Sequence, residues 1–376
     1  MWALRGAKYE PERVEAQWAF LQKHRWNYYR VFGDVAWAPE LETNGDWPDF
    51  QTLLAWMVDT GYDKYGQRCQ LTVSGGSKRN LLRITDQVLE VIKGREHKFM
   101  YLEPSNEGNV SKDVVIQMVK KLMTSGLLVA PGFGNDYGGI MKELMLAHIG
   151  NMVSPHLART ASDFDWRFVR QTWDVRDYKV PTSQGEPKGP LSSVSWCSDP
   201  LRLAMARAVG ILNGAGSYCL HNGAGVYGVE KSFAGGVRPP NIWETPDIDN
   251  IMTAIRGIDT LMPIGVEDWV RANDAWTVPA HPLRSQHFWE GKSGYGVNKN
   301  YSASFGASFV TAPCGVMSQE GKDPYVTARN ACRVVVSDPL NPGTPIEIKD
   351  LGAGEELVLK GTPNAQTAYI INGIRL

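Results

Sequence analysis

Along most of the chain, short apolar runs alternate with amphipathic segments, and the runs end in polar or glycine-rich turns, which is the rhythm of βα units. The segment "WALRGAKYEP", Trp2 to Pro11, reads as a first strand. A helix follows over "PERVEAQWAFLQKH", where Pro11 suits the first turn and Val14, Trp18 and Leu21 line one face. "WNYYRVFG", Trp26 to Gly33, is the second strand, and the helix "DFQTLLAWMVDTGYDKYG" leads to a third strand, "QLTVSGG", ending at Gly75 and Gly76. The helix "NLLRITDQVLEVIKG" precedes strand four, "HKFMYLEPSNEG", His97 to Gly108. The helix "DVVIQMVKKLMTSG" precedes strand five, Leu127 to Gly134, and strand six spans Asn151 to Arg159. Beyond a helical stretch in "DWRFVRQTWD" lie a short strand seven at Tyr178 to Pro181, the helix "DPLRLAMARAVGILNG" and strand eight in "AGSYCLHNGAG".

Eight such units in roughly 230 residues match the size of a closed eight-stranded βα barrel. After Pro239 the rhythm weakens, and "IWETPDIDNIMTAIRGIDTLMP" supplies a long loop and a closing helix. From Trp276 onward the text changes to short β-like pieces, "SASFGASFVTAP", "ACRVVVSD", "PIEIKDLG", "EELVLKG" and "TAYIING", with turns such as "NPG" and "GAGE" between them. The pattern therefore predicts an α/β protein with a (β/α)8 TIM barrel over residues 1–275 and a small C-terminal antiparallel β domain over 276–376. No internal repeat points to an array of modules.

Composition narrows the function. Among 376 residues, 43% are hydrophobic and 21% charged, enough for a sizeable core and against wholesale disorder. The 39 basic and 40 acidic side chains nearly cancel and form no long basic run, so nucleic acid is not an expected partner. Apolar runs break at glycine or charge well short of the ~20 residues of a membrane span, so no membrane partner is expected. No secretory segment precedes Trp2; the sequence reads as that of a soluble protein, with an extracellular protein stripped of an upstream segment as the alternative. Cys69, Cys197, Cys219, Cys314 and Cys332 have no metal-ligand spacing and read as mostly buried thiols. Thirteen tryptophans and fourteen tyrosines either pack the core and loops or stack on sugar faces.

In a βα barrel the strand ends converge on one face, so residues distant in sequence meet there. Strand four ends in Asn106-Glu107 and strand seven in Gly185-Glu186-Pro187, the two glutamates lying 79 residues apart with three βα units between them. Cleaving a glycosidic bond takes two carboxyl groups, one to protonate the departing oxygen and one to attack carbon or activate water. Chance placement near strand ends is the competing explanation among 40 acidic residues. Glu103 competes for the fourth-strand role, but it lies inside "YLEPS", whereas Glu107 follows an asparagine in a short turn suited to holding a substrate hydroxyl.

With "SNEG" at Ser105 to Gly108 and "SQGEPKGP" at Ser183 to Pro190, the chain resembles the superfamily of retaining glycoside hydrolases on (β/α)8 barrels, which includes cellulases, mannanases and β-galactosidases. "LRGAKYEP" and "NYYRVFG" resemble that superfamily's first two strands, and the resemblance covers about residues 1–230. It implies hydrolysis of O-glycosidic bonds in a β-linked poly- or oligosaccharide by double displacement: Glu186 attacks the anomeric carbon, and Glu107 serves as acid and then base. It further implies that Arg30 supports the nucleophile and that Asn106 binds the hydroxyl beside the reacting carbon. His156 ends strand six as a substrate donor or a local structural residue; the tyrosine many relatives carry near there is replaced at the next position by Leu157, with Tyr137 or Tyr227 as loop substitutes. Where relatives carry a strand-eight tryptophan under the sugar, this chain has His221 and Asn222. Trp37, Trp47, Trp173, Trp196 and Trp243 are sugar platforms or loop-packing residues.

Competing motifs are thin. "GGSKRN" lacks phosphate-loop spacing, and no HExxH, calcium loop, dinucleotide fingerprint or G-x-S-x-G elbow occurs, so no cofactor is implied. A non-catalytic carbohydrate-binding barrel is the second reading. A metal-dependent hydrolase is the third, although His148, His156 and His221 lack a diagnostic spacing.

Overall fold

The computed structural model describes residues 3–35, 44–75, 79–106, 110–132, 139–156, 178–185, 189–190, 197–212, 215–220, 222, 240–261, 283–284, 300–306, 313–319, 325–328, 331–359 and 369–376. The chain opens with two helices, α1 (Ala3–Tyr9) and α2 (Pro11–Lys23). The strand expected at Trp2 to Pro11 is therefore a helix over its described part. Its alternation is outweighed by Leu4 and Ala7, three apart and both buried, which give α1 a helical apolar face. Lys8, in its last turn, bonds Asp49 at 2.8 Å.

From there the predicted order returns. β1 (Tyr28–Val35), α3 (Phe50–Tyr65), β2 (Arg68–Gly75), α4 (Leu81–Ile92), β3 (Phe99–Ser105), α5 (Lys112–Met123) and α6 (Ile140–Leu146) follow in turn. β1, β2 and β3 form a parallel sheet in that order. The run continues laterally: Leu102 bridges Val129 in parallel, Asn151 N–H donates to Val129 O, and Val153 bridges Thr182 in parallel. Thr182 opens β4 (Thr182–Gln184), which neighbours β5 (Ala215–Tyr218). Seven consecutive segments thus lie side by side in chain order, matching predicted strands two to eight. Strand seven begins four residues later than the predicted Tyr178, because Lys179 takes a left-handed φ of 53° and Pro181 has no N–H to donate. This is a TIM-barrel-like arrangement, and among the described residues no pairing closes β5 onto β1.

The two faces of this sheet differ chemically. One carries Tyr29, Val31, Cys69, Leu71, Val73, Leu102, Val129 and Val153 into a core with Leu54, Met57, Ile84, Val88, Met118 and Leu122 from the helices. Alternation turns the intervening residues to the other face: Arg30 and Asp34, Gln70 and Thr72, Tyr101 and Glu103, all buried.

Contacts divide the chain into two units, one of residues 1–196 and 217–248, the other of 197–216 and 249–376. The helices α7 (Pro200–Leu212) and most of α8 (Ile248–Leu261), which the sequence pattern assigns to the barrel half, fall in the second unit. Its described strands after α8 are β6 (Leu283–Arg284), β7 (Asn300–Gly306), β8 (Pro313–Gln319), β9 (Tyr325–Ala328), β10 (Cys332–Asp338), β11 (Asn341–Leu351), β12 (Glu356–Val358) and β13 (Tyr369–Arg375). They form a five-stranded sheet ordered β11-β10-β13-β8-β7 and a three-stranded sheet ordered β12-β9-β6, antiparallel throughout, as the short β-like pieces predict. On β10 the residues alternate, with Cys332, Val334 and Val336 buried beside Leu351, Leu357 and Leu359.

Candidate active site

Glu107 and Glu186 themselves lie outside the described residues, as do Trp37, His221, Tyr227, Trp173, Trp196 and Tyr137. The residues leading to the two glutamates are described. The backbone N–H of Asn106 bonds Ser74 O at 2.9 Å, so the β2–β3 ladder extends one residue past β3 and delivers the chain to position 107 from a C-terminal strand end. Gly185 N–H bonds Pro155 O at 3.3 Å, which does the same at position 186 beyond β4.

Arg30 occupies the polar face of β1 and is only 2% exposed. Its Nη2 donates to Glu103 Oε2 at 2.8 Å and to Asn106 Oδ1 at 3.0 Å, while Nε donates to Thr72 Oγ1 at 3.1 Å. The guanidinium carbon also stands 4.8 Å from the centre of the Phe32 ring. The resemblance implied Arg30 as support for the nucleophile, which lies outside the described residues; among the described residues its partners are Thr72, Glu103, Asn106 and the Phe32 ring.

Glu103 is 0% exposed, and its Oε2 also accepts from Thr72 Oγ1 at 2.8 Å and Gln70 Nε2 at 3.3 Å. The carboxylate that competes with Glu107 in the sequence is thus enclosed and ion-paired within the sheet. Asn106, also buried, presents its amide to Arg30 at the strand end.

Around this charged pair lies a hydroxyl chain. Tyr101 OH and Ser154 Oγ are 3.1 Å apart, Tyr101 OH donates to Ser183 Oγ at 3.4 Å, and Ser217 Oγ donates to Ser183 Oγ at 2.6 Å. Burial, and then the neighbouring Glu103 charge, push the Tyr101 phenol well above its ordinary range, so it stays protonated.

His156 is buried beside Gly185: a methyl added at Gly185 would stand 2.4 Å from Ser154 Oγ and 3.3 Å from His156 Cδ2. His156 and the residue preceding Glu186 are therefore brought together. Asn222 is buried too, but its Nδ2 donates to Thr245 Oγ1 at 3.2 Å. Trp243 is 40% exposed, its ring centre 6.2 Å from that of Phe20 on α2, whereas Trp47 is half-buried with Lys8 Nζ 4.5 Å from its ring centre.

Two buried carboxylates were not singled out as binding or supporting residues from the sequence. One is Glu103; the other is Asp34, fully buried at the C-terminal end of β1, where its Oδ1 accepts from Gly45 N at 2.9 Å and Arg79 Nη1 at 3.1 Å. The signal that finds both is period-two alternation from Arg30, which turns Asp34 to the same face and, through the register, sets Glu103 opposite Thr72. Among the described residues no group of three or more His, Cys, Asp or Glu side chains is placed to hold a metal ion. None of their helices is long and apolar enough to cross a membrane.

No protein-family model matches the sequence, and no curated protein matches it. Solved structures do match. A chain described as a glycoside hydrolase superposes with a TM-score of 0.65 at 10% identity, covering 96% of this chain and 89% of that one. A glycoside hydrolase family 5 structure from Bacteroides vulgatus ATCC 8482 superposes with a TM-score of 0.62 at 8% identity, covering 96% and 84%. At such identities the likeness concerns the fold alone, a TIM-barrel-like fold similar to that of these two glycoside hydrolases.

Proposed function

We propose that the chain is a glycoside hydrolase that cleaves β-linked O-glycosidic bonds in a poly- or oligosaccharide with retention of configuration. One observation carries the reading. On a fold shared with family 5 glycoside hydrolases, the chain leaves the C-terminal ends of β3 and β4 through Asn106 and Gly185, and the next residue in each case is a glutamate. Glu186 attacks the anomeric carbon while Glu107 gives its proton to the departing oxygen; water, deprotonated by Glu107, then releases the sugar from Glu186. Asn106 and His156 bind substrate, and the loop tryptophan Trp37, with Tyr227, His221 and Asn222, shapes the sugar site. The antiparallel sheets of the second unit are accessory.

The test is turnover of a panel of aryl glycosides and β-glucan, mannan and galactan oligosaccharides, with the first-formed anomer read by NMR. The wild-type chain is expected to release sugar with retention. Glu186→Gln should abolish turnover, and Glu107→Gln should lower it about 10²–10⁴-fold, with unchanged circular dichroism. Full activity in Glu186→Gln, or inverted product, overturns the assignment. Glycan binding without product in the wild type would instead identify a non-catalytic binding barrel.

A further inference from the structure

β11 lies at the edge of the five-stranded sheet, with β10 on one side and no strand among the described residues on the other. An edge strand presents a row of backbone N–H and C=O groups to any extended chain, and proteins guard such edges with charge and proline. β11 carries both, in Pro342, Pro345, Glu347, Lys349 and Asp350. It also carries an apolar exception. Of the seven large apolar side chains exposed among the described residues, Ile346 and Ile348 lie two apart on this strand, 53% and 59% exposed.

The register with β10 sorts the charges. Asp350 stands opposite Arg333, which binds it through two hydrogen bonds, so its charge is offset within the chain. Glu347 and Lys349 stand opposite Val336 and Val334, whose side chains belong to the core of this sheet. Neither forms an ion pair among the described residues. Two opposite charges on an open edge, with an exposed isoleucine between them, make the strand complementary to itself. In an antiparallel pair about a two-fold axis at position 348, Glu347 of each copy faces Lys349 of the other, and Ile348 faces Ile348. An axis at 347 or 349 sets like charges opposite each other, and one at 346 sets Glu347 against Pro345 and Lys349 against Gly343. The charges that repel other strands therefore admit this one register.

We infer that the free edge of β11 is an interface for a second copy of this chain, joined as a two-fold antiparallel pair centred on Ile348. Ile346 and Ile348 of both copies supply the apolar contact, and two Glu347–Lys349 contacts fix the register. Register shifts between Val336 and Asp338 end the regular ladder with β10 near residue 346, so the paired stretch is short and the dimer is weak and reversible. The pairing does not depend on the reaction proposed above.

The test is sedimentation velocity of the full chain at low salt over about 1–500 μM. The weight-average mass of the wild type is expected to climb from that of one chain toward that of two. Glu347→Lys and Lys349→Glu each set like charges opposite each other at two places, so each should raise the dissociation constant about 10-fold or more. Both reversals in one chain restore opposite charges and should return wild-type association. The sharpest reading comes from mixing the two single variants. Each associates poorly alone, yet together they should form a one-to-one complex, because every lysine then meets a glutamate.

Both positions lie on the solvent-facing edge, so thermal melts should match the wild type. If one variant melts lower, the mixture still decides, since its association is compared with that of each component alone. A wild type that stays monomeric throughout the range overturns the inference. So does a dimer that the single reversals leave unchanged, or one that neither the double reversal nor the mixture recovers.

Discussion

Every residue of β1 in the parallel sheet is buried, whereas β11, at the edge of the antiparallel sheet, leaves most of its residues exposed. Each sheet carries an arginine–carboxylate pair. In the antiparallel sheet Arg333 grips Asp350 with two bonds, Nε to Oδ1 at 2.7 Å and Nη2 to Oδ2 at 2.8 Å, with the side chains 50% and 48% exposed. In the parallel sheet Arg30 reaches Glu103 through a single bond of 2.8 Å, yet both side chains are sealed from water. The exposed pair has the better geometry and the smaller consequence, because water and salt screen it and either partner is solvated when the other is removed. The buried pair cannot be divided without stranding a charge.

The largest expected effect breaks that contrast open. Arg30→Met leaves Glu103 buried without this counter-charge, and should lower unfolding free energy by about 3–5 kcal/mol in urea titrations. Arg333→Met should leave the midpoint within error. Equal shifts in the two variants would remove the distinction. A second comparison concerns backbone approach. Gly132 has φ of +71°, and a methyl there would stand 2.1 Å from Ser105 O, just before Asn106. Gly132→Ala should therefore cost about 2–3 kcal/mol. Gly343, on β11, has nothing within 4 Å of such a methyl, and its alanine variant should melt as wild type does. A destabilised Gly343→Ala beside a stable Gly132→Ala would reverse the picture.

The smallest effect concerns thiols. Burial, despite a hydrogen bond with Tyr29, pushes the Cys69 thiol up to about 12. The folded state then keeps a proton that the unfolded chain loses near its ordinary value of about 8.5. The stabilisation is whole below that value and is lost as pH rises toward 12, so stability should fall by about 1 kcal/mol between about pH 8.5 and 9.5. Cys69→Ala should flatten this slope in denaturant titrations across that range. An unchanged slope would show that the buried thiol does not titrate as its surroundings require.

The order of seven sheet segments and their helices was legible because periodicity of burial is written locally: Leu81, Ile84, Val88 and Ile92 on α4 repeat at helical spacing. Trp2 to Pro11 misled because a segment this short fits alternation and helical spacing equally, and only the burial of Leu4 and Ala7 decides. At the site, Asn106 and Gly185 were found at strand ends as expected from their motifs. The partnership of Arg30 with Glu103 was not, since the two are 73 residues apart and meet only through the register of three parallel strands.

The sequence by itself therefore determined the βα rhythm, the antiparallel tail and the strand ends that lead to Glu107 and Glu186, because each depends on neighbours a few residues away. The tertiary structure alone decided which polar residues share the sealed face. Register selects Thr72, Glu103 and Asn106 as partners for Arg30 out of many possible acceptors, and burial turns that selection into an ion pair that water would otherwise have screened.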